Sequence, residues 1–146
     1  MHTTSCYDTV MATDTRRSLS MHAFGMIGVL ALEYLFGMFT TLFVTFPQNE
    51  KEKQLWQFAW RQAPVAIHVI LGFVLFAGTL ALLIRALVKK ETQWIISGTI
   101  ATISVFAAII AGALFIPHQT DWYSFIMAVS FIIALLAYFW GIYVTK

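Results

Sequence analysis

Charge is what this sequence lacks most. Only 11% of its 146 residues are charged, against roughly 25% in soluble domains, while 60% are hydrophobic and the mean hydropathy is +0.78. So few charges do not cover a water-exposed surface, which excludes an ordinary soluble domain. Cysteine is nearly absent. Cys6 stands alone, and this excludes an intramolecular disulfide, a CxxC metal or redox site and a heme attached through CxxCH. Nine Lys and Arg against seven Asp and Glu leave a net charge of +2 without a long basic block, so nucleic acid is not a partner. A nucleophile with its base, paired catalytic carboxylates, a phosphate loop and a dense metal motif are also missing, and an enzyme is not the leading reading.

What the chain does have is long apolar runs. Spans of about 21–46, 65–88, 94–116 and 122–144 each supply the ~20 residues that carry a helix across ~30 Å of hydrocarbon. Lipid offers the backbone no partners, so the runs must be helices, and their unbroken length is not that of barrel strands. The expected fold is all-α, an antiparallel bundle of four transmembrane helices forming one domain over 21–146, after a polar, loosely attached tail over 1–20. Met1, Met11 and Met21 are alternative starts. Arg16-Arg17 could pass for the head of a signal peptide or a twin-arginine signal. The following run is too long for either and no A-x-A site follows it, so it is expected to remain as a signal anchor.

Basic residues set the expected orientation. Arg16, Arg17, Arg85, Lys89, Lys90 and Lys146 fall at one set of span ends, and Lys51, Lys53 and Arg61 at the other, which predicts both termini in the cytoplasm. Trp56, Trp60, Trp94 and Trp122 lie near the expected boundaries, where indoles favour the interface. In the long connection PQNEKEKQLWQFAWRQAP, over 47–64, Leu55, Trp56, Ala59 and Trp60 recur at helical spacing. They predict a short interfacial helix over about 51–62, acting as an anchor or as a cap over the outer end of the bundle. Small pairs four apart, Ala107 with Ala111, Ala108 with Gly112 and Ala137 with Gly141, suit close helix contacts within the chain, in a homo-oligomer or with another membrane subunit.

The stretch ALEYLFGMF places Glu33 near the middle of the first run. An ionised carboxylate at that depth costs several kcal/mol, so it must be protonated, paired or facing a water-filled cavity. Helix rise puts Arg85 and His68 each ~13 Å from the middle of the second span, in opposite directions, beyond easy reach; Arg85 is expected to snorkel outward with Lys89 and Lys90. The partners at Glu33's depth are then hydroxyls: Thr79, Ser104, Ser130 and the neighbouring Tyr34. Glu33 serves either as a donor that ties helices together or as the protonatable group of a ligand site.

The histidines carry a second reading. His68 near the outer end of the second span and His118 after Pro117 at the outer end of the third come to the same face, the arrangement by which two imidazoles hold heme b. The register is offset by ~6 Å, which a bend at Pro117 would have to absorb. Zinc held by His68, His118 and Asp121 would have only three scattered ligands.

GVLALEYLFG resembles the first helix of the small multidrug resistance transporters, whose first-helix glutamate exchanges protons for lipophilic cations; the likeness is confined to that helix, and the later helices lack the family's glycine-rich pattern. GMFTTLFVTFP, HVILGFVL and SFIMAVSFIIALLAYFW resemble a group of small bacterial four-helix membrane proteins, which implies a bacterial inner membrane and transfers no catalytic residue. The leading expectation is a membrane protein that binds or transports a proton-linked small or lipophilic ligand through Glu33. A heme b electron-transfer protein using His68 and His118, and an accessory or assembly subunit of a membrane complex, stand beside it.

Overall fold

In the computed structural model, which describes residues 6–47 and 50–145, the chain forms five helices. They are α1 (Cys6–Phe43), α2 (Glu52–Arg61), α3 (Ala63–Lys89), α4 (Thr92–His118) and α5 (Asp121–Val144), and no strand occurs among the described residues. Four helices are long and apolar enough to cross a membrane: α1 from Asp14, α3, α4 and α5. The boundaries follow local chemistry. Pro64 sits in the first turn of α3, where its missing N–H is not needed. Lys90 and Gln119 adopt left-handed conformations that stop α3 and α4, with the Gln119 N–H donating to the Phe115 carbonyl at 2.7 Å. At the start of α2 the Gln54 side-chain oxygen accepts from the Lys51 N–H at 3.1 Å, half of a capping box.

Contacts between neighbouring helices run in opposite senses. Along α1, Ser18 and His22 meet Arg85, Met26 meets Gly78, and Glu33 meets Gly72, so partners descend on α3 as α1 ascends. Gly98 meets Leu82 while Phe106 meets Phe76, and Ser97 meets Ala137 while Gly112 meets Met127, which repeats the pattern for α3 with α4 and for α4 with α5. The α4–α5 contact is the most extensive and the α1–α5 seam the thinnest among these four. Large apolar side chains such as Leu35, Phe43, Phe73, Ile103 and Leu136 point outward around the girth, far more exposed apolar surface than a water-soluble monomer carries.

Two separate cores result. One, around Trp94, Tyr138 and Leu82, fills the end of the bundle that holds Arg16, Arg85 and Glu91. The other lies under α2, whose buried Leu55 and Ala59 pack with Phe46, Val65 and Ile116. Phe46 is clamped by edge contacts to Phe58 at 5.5 Å and Phe115 at 5.9 Å, and Gln119 Nε2 donates to the Pro47 carbonyl at 3.1 Å, so the connection is tied down over the bundle end. The helix expected over 51–62 is thus present and sits as a cap.

Two expectations need correction, and a third gains detail. Most of the stretch read as a polar tail over 1–20 belongs to α1, which is helical from Cys6 onward; residues 1–5 lie outside the described part, as does Lys146. Leu19 is buried there, Ser18 binds Arg85, and Arg16 Nε pairs with Glu91 at 3.2 Å, so tertiary contacts hold a segment that lacks apolar periodicity of its own. Arg85 stays exposed at that end and gains partners there. Its Nη2 donates to Ser18 Oγ at 2.6 Å and its Nη1 to His22 Nδ1 at 3.1 Å, partners that the extended α1 provides. Trp94 is not an interfacial indole but wholly buried, its ring seated where Gly141 leaves space.

Candidate functional site

Between the two cores the helices enclose a cavity of about 500 Å³, bounded by Leu30, Leu75 and Val105 on one side and by Phe46, Val65 and Ile116 on the other. All four long helices line it, and Trp56 and Trp60 of α2 close its end. The wall is almost wholly apolar. Its ionisable groups are Glu33, Tyr34 and His68.

Glu33 and His68 face each other across the α1–α3 seam, with Glu33 Oε1 3.1 Å from His68 Nδ1. This departs from the expectation that His68 lies out of reach. The apolar part of α1 runs from Asp14 to Phe43, so its middle falls near Val29 and Glu33 stands about one turn, ~6 Å, toward the α2 end. Two glycines complete the approach. A Cβ on Gly37 would lie 3.0 Å from His68 Cε1, and one on Gly72 3.3 Å from Glu33 Oε1. Each polar side chain therefore leans over the glycine one turn along its partner's helix: Glu33 and Gly37 are four apart on α1, as are His68 and Gly72 on α3.

The pair is close in distance yet its atoms lie off the line of a hydrogen bond. His68 Nδ1, Glu33 Oε2 and, further along the same wall, Thr40 Oγ1 are buried without a hydrogen-bond partner among the described residues. Leaving such atoms unpaired costs about 1–3 kcal/mol each. Trp94 Nε1 and Tyr138 Oη, in the other core, are buried and unpartnered as well; those on the cavity wall are the ones a polar-headed occupant could satisfy. A carboxyl and an imidazole at this separation can also hold and exchange one proton.

Of the residues expected around Glu33, the structure brings Tyr34 and Ser130 to the cavity wall. It does not bring Thr79 or Ser104. Thr79 is fully buried and donates to the Phe76 carbonyl of its own helix at 2.9 Å, and Ser104 is buried away from the cavity. His118 is not on the wall either; its Nδ1 lies 3.0 Å from the Leu114 carbonyl and its ring stands beside Tyr123 at 5.8 Å. Among the described residues no three of His, Cys, Asp and Glu gather as metal ligands, the grouping His68, His118 and Asp121 included. Gly37, Gly72 and Thr40 were not anticipated from the sequence. The signal that could have found the two glycines is their place one turn from Glu33 and from His68; no such signal marks Thr40. No family model matches the chain, and neither curated proteins nor solved structures give a match.

Proposed function

We propose that this chain is a polytopic membrane protein, an antiparallel four-helix bundle, that binds a small lipophilic ligand in the α2-capped cavity and carries it in exchange for a proton held by Glu33 and His68. One observation carries the reading: a carboxyl and an imidazole 3.1 Å apart on the wall of an otherwise apolar cavity of about 500 Å³, a volume within the range of small-molecule sites. Four long apolar helices, an apolar girth and helix contacts that run in opposite senses support the membrane bundle. The basic end with Arg16, Arg17, Arg85, Lys89 and Lys90 supports placing that end in the cytoplasm of a bacterial plasma membrane. The remaining apolar wall would hold the ligand's body, and Glu33 would trade its proton for the ligand's polar contact.

The test is proton-coupled flux in liposomes under an imposed pH gradient, read with an internal pH dye while a panel of lipophilic compounds is added. Wild type is expected to move protons with one class of compound, and Glu33→Gln, which keeps the shape but cannot cycle a proton, to lose that coupling. Equal coupled flux in wild type and Glu33→Gln would rule the exchange out.

A further inference from the structure

The cavity wall restricts what can sit against the pair. No Lys or Arg lines it, so an anionic head would meet Glu33 with nothing to offset its charge. The Glu33 carboxyl already faces the His68 imidazole at 3.1 Å, so a cationic head would have to compete with that ring for the carboxyl. An uncharged head avoids both costs. The unpartnered Glu33 Oε2 is an acceptor, and the imidazole beside it can donate, so the complementary group is one that donates and accepts at a single atom. A hydroxyl does so. Thr40 stands two helical turns, about 10 Å, along α1, too far to share the same hydroxyl.

The rest of the ligand is set by the wall and its opening. Beyond the pair the lining is mostly apolar, with the hydroxyls of Thr40, Thr41, Ser124 and Ser130 among it, and Tyr34 and Met38 of α1 and Ala128 of α5 are both cavity-lining and exposed on the outer surface. They flank the α1–α5 seam, thinner than the α1–α3, α3–α4 and α4–α5 contacts and bridged by the Tyr34–Phe131 ring contact at 5.0 Å. A chain longer than the cavity therefore has a way out into lipid. Resting on the reading of the cavity as a ligand site, we infer that its occupant is an uncharged, hydroxyl-headed amphiphile, its head against Glu33 and His68 and its chain leaving through the α1–α5 seam.

The experiment uses the full chain in lipid nanodiscs and three probes that share one brominated alkyl chain and differ only in head: an alcohol, a trimethylammonium and a carboxylate. Bromine quenches tryptophan on contact, and Trp56 and Trp60 stand on the wall. The alcohol is expected to quench saturably, the other two to bind at least about tenfold more weakly, and Glu33→Leu or His68→Leu to weaken the alcohol by about tenfold, the loss of one hydrogen bond. The saturable component should vanish in a Trp56→Phe/Trp60→Phe chain. Ammonium binding as tightly as alcohol would overturn the uncharged head while leaving the cavity a ligand site. Saturable quenching by none of the three would overturn the ligand site itself. Binding by a short-chain alcohol but not its long-chain counterpart would overturn the exit through the seam.

Discussion

The half of the bundle around Trp94 and the half under α2 are built with the same device, a glycine that lets a side chain of the neighbouring helix come close, and they differ in what fills the notch. At the Trp94 end the notches are closed. Met26 lies over Gly78, and Trp94 with Ser97 lies over Gly141. Ser97 Oγ also donates to the Ala137 carbonyl at 2.6 Å, which ties α4 to α5 there. Under α2 the notches at Gly37 and Gly72 receive an imidazole and a carboxyl instead, and a cavity remains beside them. In lipid, helix association rests on dispersion and close approach because tails are as apolar as leucine. The closed half therefore supplies the cohesion and the open half keeps a cavity; buried polar atoms without a partner occur in both, Trp94 Nε1 and Tyr138 Oη in the closed half.

If that division is right, the largest loss of stability should come from emptying the closed half. Trp94→Ala removes a wholly buried indole from the principal core. Core Trp→Ala changes cost about 3–5 kcal/mol in water-soluble proteins; here the transfer part is small because lipid is apolar, so about 3 kcal/mol, from lost contacts and the cavity left behind, is expected. Equilibrium unfolding in mixed micelles reads it. Gly141→Ala comes next. Its Cβ would lie 2.8 Å from both Ser97 Oγ and Trp94 Cζ3. The indole is rigid and Ser97 is held by its hydrogen bond, so neither yields cheaply and about 1–3 kcal/mol is expected. A loss below about 0.5 kcal/mol for both variants would show that cohesion lies elsewhere.

The open half can be converted toward the closed one. Glu33→Leu/His68→Leu replaces the pair by apolar groups that fill part of the cavity. Removing both partners of a buried polar contact is near neutral or stabilising, so stability should stay within about 1 kcal/mol of wild type or rise, while proton-coupled flux disappears. A loss of several kcal/mol instead would make the pair a structural tie and favour the assembly-subunit reading.

The unequal roles of the two halves also explain what the sequence could disclose. Four apolar runs of spanning length and a periodic amphipathic stretch over 51–62 reported the four long helices and α2 directly, since lipid allows no other open-ended structure. Glu33 declared itself because a carboxylate inside such a run is costly. Its partner did not. The part of α1 ahead of the apolar run is held where Leu19 enters the core, Ser18 meets Arg85 of α3 and Arg16 meets Glu91 of the α3–α4 connection, and a polar stretch such as TTSCYDTVMATDTRRSLS carries no local sign of that. The misplaced start put Glu33 at mid-span and His68 out of reach, and drew Thr79 and Ser104 into a site they do not share. The inward turn of Trp94 was equally hidden, because an indole near a run's end suits an interface or a glycine notch, and only the neighbouring helix decides between them.

The smallest effect separates close contact from rigid contact. A Cβ on Gly78 would come within 2.6 Å of Met26 Cε and still nearer its sulfur, closer than the 2.8 Å approaches at Gly141. Distance alone would rank Gly78→Ala as the worse substitution. What it strikes, however, is the far end of an unbranched thioether with three rotatable bonds, which can swing into a neighbouring rotamer, and alanine gains about 0.5–1 kcal/mol over glycine within a helix. The two contributions nearly cancel, so Gly78→Ala should change the unfolding free energy by less than about 1 kcal/mol, in contrast to Gly141→Ala. If Gly78→Ala proves as damaging as Gly141→Ala, the Met26 side chain is fixed, and the α1–α3 seam is as rigid at that depth as the α4–α5 contact.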